Sequence, residues 1–142
     1  LNLSVAHSKK NDLSNLNSNI LISDSDQNIH KWYRLSPICF LGRSFFASGG
    51  GIDPYPAVAM GCALLYGPYV DNYSDRYEKL KANEAARIVY NIENLSEAVK
   101  NILNPNKAAE MAYSGWKIIS EGAQLTDLLI EQILNHFDNI GR

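Results

Sequence analysis

A glycine-rich segment at residues 42–54 has the residue types best suited to chemistry. It contains Arg43 and Ser44, three consecutive glycines at Gly49, Gly50 and Gly51, and the pair Asp53-Pro54. Glycines let a backbone approach a phosphate closely, and the N–H groups that open a helix attract anions. The segment matches neither G-x-G-x-x-G nor G-x-x-x-x-G-K-[ST]. Two interpretations therefore stay open, a phosphate-binding loop and a loop that only turns the chain.

A second loop begins at Gly67-Pro68 and reaches Asn72 and Tyr73. Asn72 is a residue type that often caps a helix, and we expect it to cap the helix that follows. If both loops follow neighbouring parallel strands, they lie side by side at one edge of the sheet. The two loops would then hold one ligand between them.

Other combinations of reactive side chains fail tests of spacing. The spacing of Asp24, Asp26 and Asn28 is that of the first ligands of a calcium loop. Ile29 and Leu35, however, stand where that loop needs Gly and Glu. The histidines are scattered without the spacing of zinc ligands: His7, His30 and His136. The sequence therefore predicts no metal site.

The nucleophilic side chains also lack a recognisable arrangement. Cys39 lies in an apolar run and Cys62 close to a predicted helix end, where thiols usually act as small buried groups. Ser44 and Ser48 lack the G-x-S-x-G motif of hydrolases. We therefore predict no catalytic residue in this chain.

Short apolar runs predict the strands that position these loops. The runs are typical of buried strands in a parallel sheet and lie at residues 20–22, 38–41, 63–66 and 88–90, with an alternating segment at 1–6. Between the segment 1–6 and residue 20 the chain is polar, which predicts a surface loop.

Helical spacing fills most of the remaining chain. We predict helices from Asp53-Pro54 to about residue 62, over 72–82, and from a capping box at Asn94 to Leu103. A further helix is expected from Pro105 to Gly122, where glycine suggests a stop, and a last one over 125–137. Alternating strands and helices indicate an α/β fold with a mostly parallel sheet.

Size and charge restrict the function further. The chain has 142 residues, 46% of them hydrophobic, and a formal net charge of -2. These values predict one globular domain over residues 1–142 and give no electrostatic indication of nucleic-acid binding. No apolar stretch approaches the length of a membrane span. Because the first residue is Leu1 rather than Met, we expect the chain to be part of a longer protein.

The motifs around the two loops resemble one known enzyme family. They occur in the order Asp24-Ser25, Trp32-Tyr33-Arg34-Leu35, Phe40 to Phe45, the triple glycine, Gly61, Gly67-Pro68 and Asn72-Tyr73. In order and spacing they are similar to the C-terminal half of 3-deoxy-D-manno-octulosonic acid (Kdo) transferases. The stretch 94–127 is also similar to the closing helices of that family.

The resemblance implies a Rossmann-like three-layer domain, the C-terminal half of a GT-B glycosyltransferase. These enzymes move Kdo from CMP-Kdo to a lipid A precursor at the cytoplasmic face of the inner membrane, in lipopolysaccharide synthesis. This chain would be the donor-binding domain, with no cofactor besides the donor. The acceptor surface, membrane anchor and catalytic carboxylate would belong to an N-terminal domain. The resemblance places the donor on Arg43, Ser44, Gly49, Gly50, Gly51, Asp53, Gly67, Pro68 and Asn72.

Some motif positions depart from the family pattern. Pro56 occupies the position of a glutamate expected to hold donor hydroxyls, and Gln27 and Asn28 replace a Gly and a Glu. Asp53 replaces Asn, which places a charge that would repel a phosphate by about 1 kcal/mol. Arg43, at a usual glycine position, is able to offset that repulsion with its guanidinium.

Three functions follow from these matches and departures. The first is a Kdo transferase. The second is a degenerate homologue that keeps the fold and acts as a regulatory or interaction subunit. The third is a transferase that uses another donor, because a lost glutamate contact is also what a changed sugar or nucleotide would produce.

Overall fold

A computed structural model describes residues 3–8, 18–23 and 29–140. Its strands and helices alternate along most of the chain, as the apolar runs predict. The strands are β1 (Val5–Ser8), β2 (Ile20–Ser23), β3 (Ile38–Leu41), β4 (Ala63–Tyr66) and β5 (Ala86–Ile88). The helices are α1 (Ile29–Leu35), α2 (Tyr55–Ala59), α3 (Ser74–Ala82), α4 (Ile92–Ile102) and α5 (Pro105–Ile140). Short 3₁₀ turns at Gly42–Phe45 and Asp71–Tyr73 lie in the two loops.

All strand pairs that the structure describes are parallel. Strand β4 lies between β3 and β5, with Ile38 opposite Ala63 and Leu64 opposite Ala86. Strands β1 and β2 pair with each other in a separate two-stranded sheet. The mostly parallel arrangement is confirmed, but the described strands form two sheets.

Strand β4 shows why its sequence is apolar at every position. Leu64 and Tyr66 pack into a cluster with residues of α1, α2 and α3, and Ala63 and Leu65 pack into a second cluster with residues of α4 and α5. A strand covered on both faces has no solvent side, so the alternation of polar and apolar residues disappears. Helices on both faces of the sheet make the three layers.

Several element boundaries differ from the prediction. The last strand begins at Ala86 and ends at Ile88, so Val89 and Tyr90 follow it. Helix α2 ends at Ala59 instead of near residue 62. Helix α4 is capped by Asn91, whose side chain accepts the N–H of Asn94 at 2.7 Å, so the predicted capping box starts three residues too late. Asn91 and Asn94 are both good N-cap residues for this helix. Capping at Asn91 is observed, and it makes the helix about one turn longer than capping at Asn94 would.

Gly122 does not end a helix. Helix α5 continues through it, with no atom within 4 Å of a Cβ built at Gly122. The apolar spacing continues on both sides of this residue, and one exposed glycine costs a helix only about 1 kcal/mol. Within the described residues, no helix combines the length and apolar character that crossing a membrane requires.

Candidate ligand-binding site

Ser44 joins the two predicted loops where they leave β3 and β4. Its hydroxyl donates to the carbonyl oxygen of Leu41 at 2.5 Å and accepts the N–H of Gly67 at 2.7 Å. The N–H of Tyr69 also donates to the carbonyl oxygen of Ser44 at 2.9 Å. The loops therefore lie side by side, as the parallel order of β3 and β4 predicts.

The hydroxyl of Ser44 has no free surface for a ligand. Ser44 is fully buried, and both its donor and its acceptor roles are filled by the chain itself. We predicted a contact between Ser44 and a donor, but in this conformation Ser44 holds the loops together instead. A buried hydroxyl needs such partners, and the loop junction supplies them.

Gly67 and Gly49 are required by close packing. A Cβ at Gly67 would lie 2.4 Å from the carbonyl oxygen of Ser44, and a Cβ at Gly49 would lie 1.7 Å from that of Arg43. These distances are far below any van der Waals contact. Part of the glycine signal in the sequence therefore comes from loops that pack against each other, and Pro68 lies half-buried directly after this contact.

Gly50 and Gly51 have different surroundings. Both have positive φ, 59° and 75°, which favours glycine. The carbonyl oxygen of Gly50 accepts the N–H of Asn72 at 3.1 Å, and a Cβ at Gly50 would lie 2.6 Å from Asn72 Nδ2. Within the described part of the chain, the N–H groups of Gly50 and Gly51 donate to no other group. Gly50 is half-buried, whereas Gly51 is buried.

Asn72 does not cap α3. No side chain caps this helix, which begins after Tyr73, and none caps the 3₁₀ turn that contains Asn72. The amide of Asn72 lies against Gly50 instead. The predicted cap was wrong because the loops meet here, and contact with the facing loop takes the place of a local bond.

Asp53 is engaged on both carboxylate oxygens. Oδ1 accepts the N–H of Tyr55 at 3.0 Å. The N-cap position of α2 is Pro54, so the predicted cap at Asp53 lies one residue too early. Oδ2 forms an ion pair with Nη1 of Arg76, 23 residues further along the chain. The first N–H of α2 is thus occupied by Asp53.

Arg76 is a site residue that the sequence analysis missed. Its guanidinium carbon lies 4.7 Å from the ring centre of Tyr55 and 5.7 Å from that of Tyr73. The hydrogen bond with Asp53 raises the pKa of Arg76 above its usual value, so its charge is permanent. The only indication in the sequence was a lone arginine in a predicted helix next to the second loop.

The expected pairing of Arg43 with a bound phosphate stays a prediction, but Arg43 does not pair with Asp53. The guanidinium that pairs with Asp53 belongs to Arg76, and Arg43 is exposed. Pro56 lies in the first turn of α2, where its carbonyl oxygen accepts the N–H of Met60 at 3.3 Å. Its ring offers no polar atom in place of a glutamate side chain.

Tyr77 supports the glycine loop from the core. Its hydroxyl donates to the carbonyl oxygen of Ile52 at 2.7 Å, and its ring lies fully buried, 4.6 Å from that of Tyr66. Burial is the largest cause that raises the pKa of Tyr77. Sequence reasoning treated this tyrosine only as part of a helix.

The cysteines lie close to each other in the core. Cys62 is buried, with Sγ 3.1 Å from the carbonyl oxygen of Tyr33 and 3.2 Å from that of Ser36. A hydrogen bond with Cys62 and then burial raise the pKa of Cys39. A thiol held in its neutral form is a poor nucleophile. The predicted burial of Cys62 is confirmed, and Cys39 is half-buried.

Of the clefts formed by described residues, the larger ones lie away from these loops. One of about 500 Å³ is lined by residues that include Lys81, Arg87 and Lys107, and one of about 290 Å³ includes Ile38 and Gly61. The first is lined by Ala86 and Arg87 of the edge strand β5, and the second by Ile38 at the start of the other edge strand, β3. Among the described residues, no three His, Cys, Asp or Glu side chains are placed to hold a metal ion. The calcium-like residues and Gln27 lie outside the described residues.

These features define a Rossmann-like α/β domain whose candidate site lies at the carboxyl ends of parallel strands. Its fold is similar to the C-terminal CMP-Kdo binding domain of WaaA from Acinetobacter baumannii. The TM-score is 0.74 with 18% identity, over 83% of this chain and 62% of that one. The predicted fold class is therefore confirmed.

Sequence comparison gives the same group of proteins. The chain is 27% identical to a 3-deoxy-D-manno-octulosonic acid transferase of Rickettsia felis, over 93% of this chain and 29% of the relative. It is 28% identical to the transferase of the same name from Rickettsia typhi, over 78% of this chain and 23% of the relative. No family model matches the chain. The resemblance inferred from the motifs is confirmed, and the chain spans less than a third of each relative.

Proposed function

We propose that this chain is the donor-binding domain of a glycosyltransferase that moves Kdo from CMP-Kdo to a lipid A precursor. The observation that carries the proposal is the pair of unoccupied N–H groups at Gly50 and Gly51, held beside Asn72 at the carboxyl ends of β3 and β4. The name of the similar solved domain and the names of the curated relatives support the identity of the donor.

The chemistry assigned to these residues is binding and charge stabilisation. Transfer would proceed by displacement at the anomeric carbon of the sugar, and the leaving phosphate of CMP would gain negative charge. Backbone N–H groups aimed at that charge stabilise the transition state without first having to reorient. Gly50 and Gly51 would supply the N–H groups, and Arg43 would reach the phosphate from the exposed side of the loop.

The other parts of the reaction belong to the longer protein. We assign the acceptor lipid, the catalytic carboxylate and the attachment to the cytoplasmic face of the inner membrane to an N-terminal domain. The donor is the only small molecule that this mechanism needs, without a cofactor or metal. The isolated domain would bind CMP and be inactive in transfer.

The experiment is a titration of the domain with CMP, followed by amide chemical shifts. We expect shifts at Gly50, Gly51 and Asn72, larger with CMP than with UMP or inorganic phosphate. The Gly50→Ala variant, whose added Cβ would meet Asn72 at 2.6 Å, should lose them. Ser48→Ala, at an exposed position of the same loop, is the control and should keep them.

The titration also separates the alternatives. Shifts that favour UMP would support a transferase with another donor. The absence of any nucleotide effect at these residues would contradict the proposal and favour a degenerate homologue. A second assay on the full-length protein, release of CMP from CMP-Kdo with a lipid A precursor present, tests the transfer step itself.

A further inference from the structure

A carboxylate beside the glycine loop is unfavourable for a site that binds an anion. Asp53 follows Gly51 by two residues, and its side chain remains about a third exposed, at 32%. A negative charge this close to a bound phosphate repels it, and the repulsion is poorly screened when the pair is partly buried. An anion site here needs a device that neutralises Asp53.

Arg76 has the geometry of such a device. It pairs with Oδ2 of Asp53, and its guanidinium is held over the rings of Tyr55 and Tyr73, at 4.7 and 5.7 Å. Aromatic faces attract a guanidinium and fix its plane. Oδ1 is held by the N–H of Tyr55 at 3.0 Å. Both ends of the carboxylate are thus occupied by groups of α2 and α3.

We propose that Arg76 is a positioning residue that neutralises Asp53 and thereby permits an anion to bind at the N–H groups of Gly50 and Gly51. The inference rests on the proposed function, since it concerns the same site. Arg76 acts through Asp53 and does not contact the ligand. The need for Arg76 therefore exists only while residue 53 carries a charge.

This dependence makes a double substitution the decisive test. Arg76→Met removes the charge and keeps much of the length of the side chain. Asp53→Asn removes the opposite charge but keeps an oxygen that can accept the N–H of Tyr55. Arg87→Met removes the same charge at an exposed position of β5, outside both loops, and is the matched control. Thermal unfolding of each variant verifies that the domain is folded.

We expect Arg76→Met to weaken binding of CMP about fivefold or more, because an uncompensated carboxylate then faces the phosphate. Asp53→Asn alone should bind CMP at least as well as the unchanged chain. The double variant should return to within about twofold of Asp53→Asn. Arg87→Met should leave the affinity unchanged. Added salt should reduce the defect of Arg76→Met, since screening weakens the repulsion.

Two outcomes overturn this inference while CMP still binds. If the double variant stays as weak as Arg76→Met, Arg76 contacts the anion directly. If Arg76→Met binds as well as the unchanged chain, Asp53 needs no partner. Equal binding of CMP, UMP and phosphate by the unchanged chain would contradict the proposed donor, but the same substitutions would still decide the role of Arg76. If none of the three binds, both proposals fail.

Discussion

The hydroxyl of Ser44 lies 2.7 Å from the backbone nitrogen of Gly67 and directly links the loops that follow β3 and β4. Both residues are buried, so water does not compete for this bond. The position of each loop therefore depends on the other, and the N–H groups of the glycine loop are held ready before a ligand arrives. Such preorganisation lowers the cost of ordering a loop on binding.

Replacing Ser44 with Ala should destabilise the domain. The change leaves the N–H of Gly67 and the carbonyl oxygen of Leu41 without their side-chain partner, and a buried group without a partner costs about 1–3 kcal/mol. Urea unfolding measures the loss. Ser48→Ala, at an exposed position four residues later, should change the unfolding free energy by less than about 0.5 kcal/mol. Equal stability of the two variants would contradict the role given to Ser44.

Two glycine substitutions should change stability in opposite directions. Gly67→Ala places a Cβ 2.4 Å from a backbone oxygen and should destabilise the domain by about 1–3 kcal/mol or more. Gly122→Ala meets no atom within 4 Å and should stabilise α5 by up to about 1 kcal/mol. Thermal unfolding tests Gly67→Ala, and the helical circular dichroism of the folded state tests Gly122→Ala, because the helix beyond Glu121 is expected to open without unfolding of the domain. A loss of helix content in Gly122→Ala would show that the helix is not continuous there.

Tyr77 should make stability depend on alkaline pH. Burial raises its pKa in the folded state, whereas an unfolded tyrosine titrates near pH 10, at about its ordinary value. The stability that the neutral Tyr77 hydroxyl contributes is therefore fully present below the pKa of the unfolded chain. It is lost as the pH rises through the pKa of the folded state. The unfolding free energy should fall above a pH of about 10.

The variant Tyr77→Phe isolates this effect. Near neutral pH it should lose about 1 kcal/mol, the net value of the hydrogen bond to the carbonyl oxygen of Ile52. At alkaline pH its stability should fall less steeply than that of the unchanged chain. Urea unfolding at several pH values measures both. Parallel pH curves for the two proteins would contradict the assignment.

The parts of the fold that could be predicted are those set by local pattern. Continuous apolar runs gave β3 and β4, and their parallel order was enough to place the loops after them side by side. The ends of helices and strands were less predictable. Asn91 and Asn94, for example, are equally good N-cap residues, and local sequence does not decide at which of them the helix starts. A glycine in the sequence also does not show why glycine is needed there. At Gly67 the reason is close packing of the backbone, whereas at Gly50 we propose that it is contact with a ligand.

The ion pair at the candidate site could not be predicted. Asp53 and Arg76 are 23 residues apart, on different elements, and no periodicity relates them. Only the packing of α3 against the loop brings them together, and that packing depends on buried residues such as Tyr77. The sequence indicates that Asp53 would repel a phosphate and that Arg43 is able to pair with that phosphate, but no sequence pattern indicates that Arg76 pairs with Asp53 itself.

The apolar face of helix α5 is buried in the first half of the helix and exposed in the second half. Gly115 and Ile118 are buried against the domain, and the same spacing continues to Leu125, Leu129 and Ile133, which are 60, 51 and 53% exposed. At 1.5 Å per residue the 36 residues span about 54 Å, longer than the sheet that supports the first half. Amide hydrogens near Ile118 should exchange with solvent only when the domain unfolds, and those beyond Glu121 should exchange by local fraying. The exchange profile along this one helix would thus mark the physical edge of the domain, which its hydrophobic periodicity does not reveal.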